Sequence, residues 1–361
     1  MVLTNFPSDS LLDLPPWSAQ RKASFRFELA DRVSGLKLGD ITPIRTASLS
    51  HNTTRLVKRQ LTIALGVTDT TNINPISDMV TVFMTFPSGA EYPLGQFIFT
   101  DASYQLFTSG RLSNMVLNDF MYLVNQQIEK GFSALTLVGT TATQIGSTIS
   151  NCVSRLVDDL PIQVKIEASP FLTVQTWAPG ATKGSIFEEI ALTGDYFSPW
   201  FDNNGFMRWI RSFDPALAIP DFDWDAGNQV TRANLLSTSN VLTAPNRFVV
   251  ISNNPIDPNI PTFGSANVPV TAPNSIQNRG FVIPKIVDMQ ALDTLQCNAI
   301  AANLVQRQTI FETMNVVTAA DPRHDSYNVV HWQGDLWLEL AWDLPLKEGA
   351  AMGHTLRKSY R

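Results

Sequence analysis

Residues Asp321–Leu346 read DPRHDSYNVVHWQGDLWLELAWDLPL. A polar loop leads into a strand, a tight turn and a second strand. Leu336, Leu338, Leu340 and Trp342 recur at period two and share one face of that second strand. Trp337, Glu339, Ala341 and Asp343 take the other face. Gly334-Asp335 supplies the positive-φ turn that a two-residue hairpin needs. The second face is only partly polar, so the pattern predicts that something covers it. This is antiparallel sheet, and it sets the expectation for the chain: an α+β fold, mainly β.

The same alternation appears earlier. Leu61, Ile63 and Leu65 alternate with Gln60, Thr62 and Ala64; Val80, Val82, Met84 and Phe86 follow the same rule. Pro87-Ser88-Gly89 then turns the chain into Tyr92–Thr100. Strands at this spacing predict a sandwich or small barrel over residues 21–110. The pattern changes after Gly110. Ile145, Ile149, Cys152, Val153 and Leu156 fall at helical spacing within Thr141–Leu156, and Pro161 stops that helix. Ser185 and Glu188 form a capping-box pattern and Gly194 closes a second helix. Asn204-Gly205 marks a hairpin within Tyr196–Arg211. These define an α+β module over residues 111–215.

Residues 216–346 read as a second β module. It contains the strand Arg247–Ser252, a loop Asn253–Pro273, and a helix over 290–308 with Leu292, Leu295, Ala299, Ala302 and Val305 on one face and Asp288 as its cap. Residues 1–20 form an arm broken by Pro7, Pro15 and Pro16, either frayed or docked on a neighbour through Leu14 and Trp17. Residues 347–361 read as a loose basic tail. No sequence repeat is visible, but the order of β, α+β and β modules suggests architectural duplication.

The 361 residues are 16% charged, against about 25% in an average globular chain. Such a surface suits a subunit covered by neighbours, and equally a polar secreted β protein. The net charge of −6 argues against a protein that grips phosphate backbones, though a channel that DNA must pass without sticking would also be acidic. Cys152 and Cys297 make no disulfide framework. The N-terminal sequence lacks a basic start followed by an apolar run, and Gly131–Ser154 is too rich in Thr, Ser, Gln and Asn to span a membrane. These features predict a soluble protein made in a reducing cytoplasm.

Reaction chemistry is sparse. Asp221, Asp223 and Asp225 resemble the start of a calcium loop, but the glycine, Gly227, sits one place late and Arg232 occupies the position of the bidentate Glu. The alternative is an acidic loop with strand-forming aromatics. His324 and Asp325, with His331 nearby, offer a His-Asp pair but no nucleophile elbow; neighbours on a strand entrance point to opposite faces. Glu188-Glu189 and Asp158-Asp159 are adjacent pairs that diverge, unlike the facing acids of a glycosidase. Trp200, Trp209, Trp332 and Trp337 suit a sugar platform, a core or a subunit interface. No catalytic residue, metal or cofactor is expected. Trp332 and Trp337, with Leu14 and Trp17, are the candidate interface residues.

Three stretches, in order, resemble the baseplate hub (minor tail) proteins of tailed bacteriophages, most closely those of siphophages infecting actinobacteria. They are LKLGDITPIRTASLSHNTTRLVKRQLTIALGV (Leu36–Val67) leading to YPLGQFIFTD (Tyr92–Asp101); TWAPGATKGSIFEEIA followed by SPWFDNNGFMRWI (Ser198–Ile210); and SIQNRGF (Ser275–Phe281), a helix, then the closing hairpin. The resemblance implies two β-barrels with intervening α/β modules. It implies a structural virion protein, a homotrimeric ring at the tail tip that joins a six-fold distal tail ring to a three-fold central fibre or spike. It further implies contact with the tape-measure protein and DNA leaving through the ring. Rival expectations are a carbohydrate-binding receptor-recognition protein and a cell-wall hydrolase.

Overall fold

The computed structural model describes residues 22–42, 44–66, 73–107, 110–138, 143–225, 230–237, 243–252, 262–308 and 312–360. Leu14 and Trp17 lie outside them.

One thirteen-stranded sheet organises the chain. Its order is Val230–Ser237, Glu312–Ala319, Ala351–Lys358, Asp335–Pro345, Ile44–Asn52, Arg59–Leu65, Gly110–Asn118, Glu91–Phe107, Asp78–Thr85, Ser24–Asp31 and Lys37–Asp40. Phe222–Asp223 and Val329–Trp332 join it off this path. The sheet curls around two cores, giving two barrel-like halves. Leu49, Leu61, Val82, Phe97, Leu117, Trp342 and Leu344 fill the first. Phe222, Trp224, Met314, Val316, Val330, Trp337 and Leu356 fill the second.

Strand Asp335–Pro345 belongs to both halves. It pairs with Val329–Trp332 and Ala351–Lys358 in the second half, and its Ala341–Pro345 end pairs with Ile44–Asn52 in the first. Its pairing with Ala351–Lys358 slips by one residue at Leu340, a β-bulge. Before the bulge Trp337 faces the second core; after it Trp342 and Leu344 face the first. Thr53, from the first half, donates both its N–H and its hydroxyl to the Leu340 carbonyl, at 2.8 and 2.9 Å. The bulge is thereby satisfied across the seam. The expected cover over the second face of this strand is the second core.

Several expectations need correction. The hairpin turn is Gln333-Gly334, with φ of 55° and 74°, and Asp335 already pairs with Trp332. Residues 351–358 are not a loose tail but a strand within the main sheet, because Met352, His354 and Leu356 alternate into the interior. Gly110–Asn118 pairs with two first-half strands, so it belongs to that half and not to the α+β module. The expected helix over 141–156 is strand Thr143–Thr148 followed by helix Ile149–Val157, with the Thr148 hydroxyl accepting from the Asn151 N–H as its cap. The second helix, Lys183–Thr193, is capped by Thr182 rather than Ser185; Gly194 closes it as expected.

Those two helices pack with a small sheet in which Gln163–Ile166 runs parallel to Phe206–Trp209, itself hairpinned to Trp200–Phe201. Within the expected loop Asn253–Pro273, Thr262–Asn267 is a strand beside Arg247–Ser252, which also pairs in parallel with Pro284–Asp288. Helix Thr294–Gln308 packs on this separate sheet. Gly264 permits the contact, since a Cβ there would meet the Asn298 backbone nitrogen at 2.4 Å. Its buried face is Cys297, Ile300, Ala301, Leu304 and Val305, while Leu295 is 69% exposed. Asp293, not Asp288, caps it by accepting from the Gln296 N–H at 2.7 Å.

Candidate functional site

The chemistry-bearing residues converge on the hairpin and the loop before it. Phe222–Asp223 runs parallel to Val329–Trp332, with Asp223 opposite His331. Alternation sends Phe222 and Trp224 into the second core and leaves Asp221, Asp223 and Asp225 outside. The Asp221 carboxylate accepts from the Val329 N–H at 2.7 Å, and that of Asp225 from the Gln333 and Gly334 N–H groups at 2.7 and 3.0 Å. Those two amides hold Asp225 below the usual carboxylate range. Asp223 lies 3.1 Å from His331 Nδ1. The spacing that imitates a calcium loop is therefore the period of a strand. Asp223, Asp225 and His331 have donor atoms close enough to share a cation, but Asp225 is already committed to the hairpin turn. The geometry explains the three aspartates as clamps on the hairpin.

His324 turns inward from the loop and Asp325 turns the other way. His324 Nδ1 lies 2.8 Å from one Glu339 oxygen, and His354 Nδ1 lies 2.5 Å from the other. His354 Nε2 meets the Thr318 hydroxyl at 2.8 Å. Phe222 stacks on the His324 ring at 4.0 Å. All three residues are buried. Burial opposes the charge on Glu339, but the His324 charge and the bonds from both imidazoles overcome it and hold the carboxyl at about 2. Burial likewise opposes charge on His324, and the Glu339 charge wins, raising its pKa. Burial and the His324 charge together lower that of His354. These directions favour an imidazolium at His324 facing the Glu339 carboxylate. Two imidazoles and a carboxylate are also a metal-binding set; here both Nδ1 atoms face the carboxylate as hydrogen-bond partners.

A second serine–histidine contact lies close by. Ser326 Oγ is 3.0 Å from His51 Nε2, and both residues are buried. His51 Nδ1 has no partner among the described residues, so no acid orients the ring, as a catalytic triad requires. Burial and the neighbouring Arg59 charge keep His51 neutral, its pKa well below the ordinary value.

Asp325 joins three parts of the fold. Its carboxylate receives Arg59 Nη2 at 2.5 Å and Trp200 Nε1 at 2.9 Å. Arg59, 1% exposed, also donates to the Asn203 side chain and the Leu94 carbonyl. Burial raises the Asp325 pKa to about 6, with Arg59 pulling against it. Glu188 and Glu189 diverge: Glu188 meets Ser198 and Arg307, while Glu189 accepts from Trp177 Nε1. Trp337 is 3% exposed and packs in the second core, so it offers this chain's surface almost nothing; Trp332 is half-buried at the core's margin. His51, Arg59, Glu339 and His354 were not singled out in the sequence. The available signal was Glu339 itself, a lone acid among aromatic and aliphatic strand residues.

Among the described residues no helix is long and apolar enough to cross a membrane. No family model matches the chain, and no curated protein matches it in sequence. Its architecture, mainly β and of the tail-hub type, is nevertheless shared with solved structures. A tail protein from Neisseria meningitidis MC58 superposes with a TM-score of 0.62 at 11% identity, covering 92% of this chain and 96% of that one. The 43 kDa tail protein of prophage MuSo2 from Shewanella oneidensis gives 0.59 at 11% identity, with coverages of 92% and 98%. The E. coli protein c3393, a type VI secretion component described as structurally similar to the T4 tail proteins gp27 and gp5, gives 0.52 at 9% identity, with coverages of 92% and 78%. The fold is that of phage tail proteins.

Proposed function

We propose that this protein is a structural component of a phage tail, and that three copies form the baseplate hub at the tail tip. The observation that carries the reading is the fold likeness to tail proteins along 92% of the chain. A chain with two barrel-like halves gives a three-copy ring approximate six-fold symmetry. Such a ring matches a six-fold distal tail ring on one side and a three-fold central fibre or spike on the other. The tape-measure protein ends within it and DNA leaves through it. The net charge of −6 suits a conduit that does not hold DNA. The quoted motif order supports a siphophage of an actinobacterial host, with synthesis and assembly in that host's cytoplasm.

The role is structural rather than catalytic: the buried histidines serve the hairpin's packing, and the serine–histidine contact lacks an orienting acid. The end of the sheet supplies a surface for assembly. Among the described residues Lys37–Asp40 pairs only with Ser24–Asp31, and Val33, Leu36, Leu38 and Ile76 beside it are 56–79% exposed. An apolar, unpaired edge is normally covered. Negative-stain electron microscopy of the purified protein tests the proposal. The expected particles are rings with three-fold symmetry, and Leu38→Glu disperses them. Rings of six identical subunits, or rings unchanged by Leu38→Glu, contradict it.

A further inference from the structure

The cleft where the modules meet is a feature that the proposed tail role does not use. It has a volume of about 370 Å³ and lies between the turn after Ile44–Asn52, the end of helix Thr294–Gln308, and strands Asp335–Pro345 and Ala351–Lys358. That is the size of a small-ligand pocket, roughly 300–1,000 Å³. Its apolar wall is the cluster of Phe197, Tyr327 and Leu338.

The charged part of the wall is cationic. Arg55, Arg307 and Arg357 line the cleft, and Lys58 stands behind Ser198, donating to its hydroxyl at 2.7 Å. Among the described lining residues Glu188 is the one carboxylate, and it is engaged by Ser198 and, at 3.4 Å, by Arg307. Arg357 is 4% exposed. It donates through Nη1 to the Gln306 carbonyl, and its Nε has no partner among the described residues. Among the described residues no carboxylate lies within 4.0 Å of Arg357, Lys58 or Arg55. Asp214 acts on Arg357, and Glu188 and then Asp119 on Lys58, only at longer range. Burial accordingly lowers Arg357 to about 10 and Lys58 to about 8.

In a chain of net charge −6 this is a local reversal of sign inside a walled cleft, where field lines concentrate. A buried guanidinium without a counter-ion is unfavourable, and its planar fork matches a carboxylate. A lone inorganic anion would leave the apolar wall unused. We propose that the junction cleft is a binding site for a carboxylate carried on an apolar stem, the carboxylate meeting Arg357 and Arg55 and the stem lying on Phe197 and Leu338. The inference is independent of the tail role and of any oligomeric state. An occupant would touch both barrel-like halves and the α+β module at once, and so brace them against one another.

Calorimetric titration of the full chain tests this with three probes: N-acetyl-leucine, N-acetyl-leucinamide and inorganic phosphate. The acid binds saturably; its amide binds at least about tenfold more weakly, roughly 1.4 kcal/mol; and phosphate binds more weakly than the acid. Arg357→Gln abolishes binding. Arg55→Ala, at the exposed rim, keeps the melting temperature and weakens the acid several-fold, which preserves the test should Arg357→Gln fail to fold. Equal binding of acid and amide overturns the proposal, as does absence of binding to wild type at tens of millimolar. Phosphate binding as tightly as the acid overturns the apolar stem.

Discussion

Replacing Glu339 by leucine removes the acceptor shared by two buried imidazoles. Glu339 is 0% exposed, and its two charge-assisted bonds, at 2.8 and 2.5 Å, run to residues that are themselves buried. Removing one partner of a buried charged cluster costs about 3–5 kcal/mol, because the remaining groups stay desolvated without compensation. Glu339→Gln costs less, about 1–2 kcal/mol. An amide oxygen still accepts from one Nδ1–H, and the amide NH2 donates to the other imidazole in its neutral form. The two variants also differ from wild type in their pH dependence. Glu339 lies below its ordinary 4.5, so its contribution is present above that value and is lost as the pH falls toward 2. His324 lies above its ordinary 6.5, so its contribution is present below 6.5 and is lost as the pH rises through the folded value. His51 and His354, lowered by burial, add a loss on acidification below 6.5. The stability difference between wild type and Glu339→Gln is therefore largest between about 4.5 and 6.5 and shrinks on either side. Guanidinium denaturation at fixed protein concentration, followed by tryptophan emission, measures it; Trp337 and Trp342 sit on the same strand. A Glu339→Leu variant within about 1 kcal/mol of wild type, or a flat difference curve, refutes the reasoning.

Three further outcomes follow from the same geometry. Asp325→Ala leaves Arg59 buried without its carboxylate and Trp200 Nε1 without its acceptor, and costs about 3–5 kcal/mol in the same denaturation assay; a loss under about 1 kcal/mol removes Asp325 from the structural frame. Gln333→Gly relieves a non-glycine residue at φ 55° in the hairpin turn, and raises stability by about 1 kcal/mol; a lower melting temperature contradicts the turn assignment. Asp225→Ala speeds hydrogen exchange of the Gln333 and Gly334 amides, which its carboxylate accepts from, while amides of the central strands keep their protection; unchanged exchange at both sites refutes the clamp.

The architecture was legible where period two was strong. The strands read at Leu61–Leu65, Val80–Phe86 and Leu336–Trp342 are present, and the partly polar second face of the last one is covered. But the bulge at Leu340 takes Trp342 off the face of Leu336 and Leu338 and into the first core. Phase was harder to read where small residues surround the helix. Ala299 and Ala302 completed one apolar stripe on paper, while Cys297, Ile300, Ala301, Leu304 and Val305 completed the one that packs, and the choice rests on where the sheet lies. The C-terminal strand carries period two through Met352, His354 and Leu356, but its His, Arg and Lys residues imitate a solvated tail. Buried His354 and Arg357 meet Glu339 and Gln306, both distant in sequence. Capping failed for a local reason: Thr182 and Ser185 both offer a hydroxyl, and the earlier one won because the chain is already helical at Lys183. His324 and Asp325 diverge as neighbours should, but no sequence pattern announces that Arg59 waits for one and His354 for the other's cluster.

The proposed hub role requires three copies, and light scattering across a concentration series tests that most directly. A chain of 39.9 kDa in a closed ring of three has a mass of roughly 120 kDa, independent of concentration once assembled. A six-chain mass instead identifies a distal-tail-type ring and contradicts the trimeric hub.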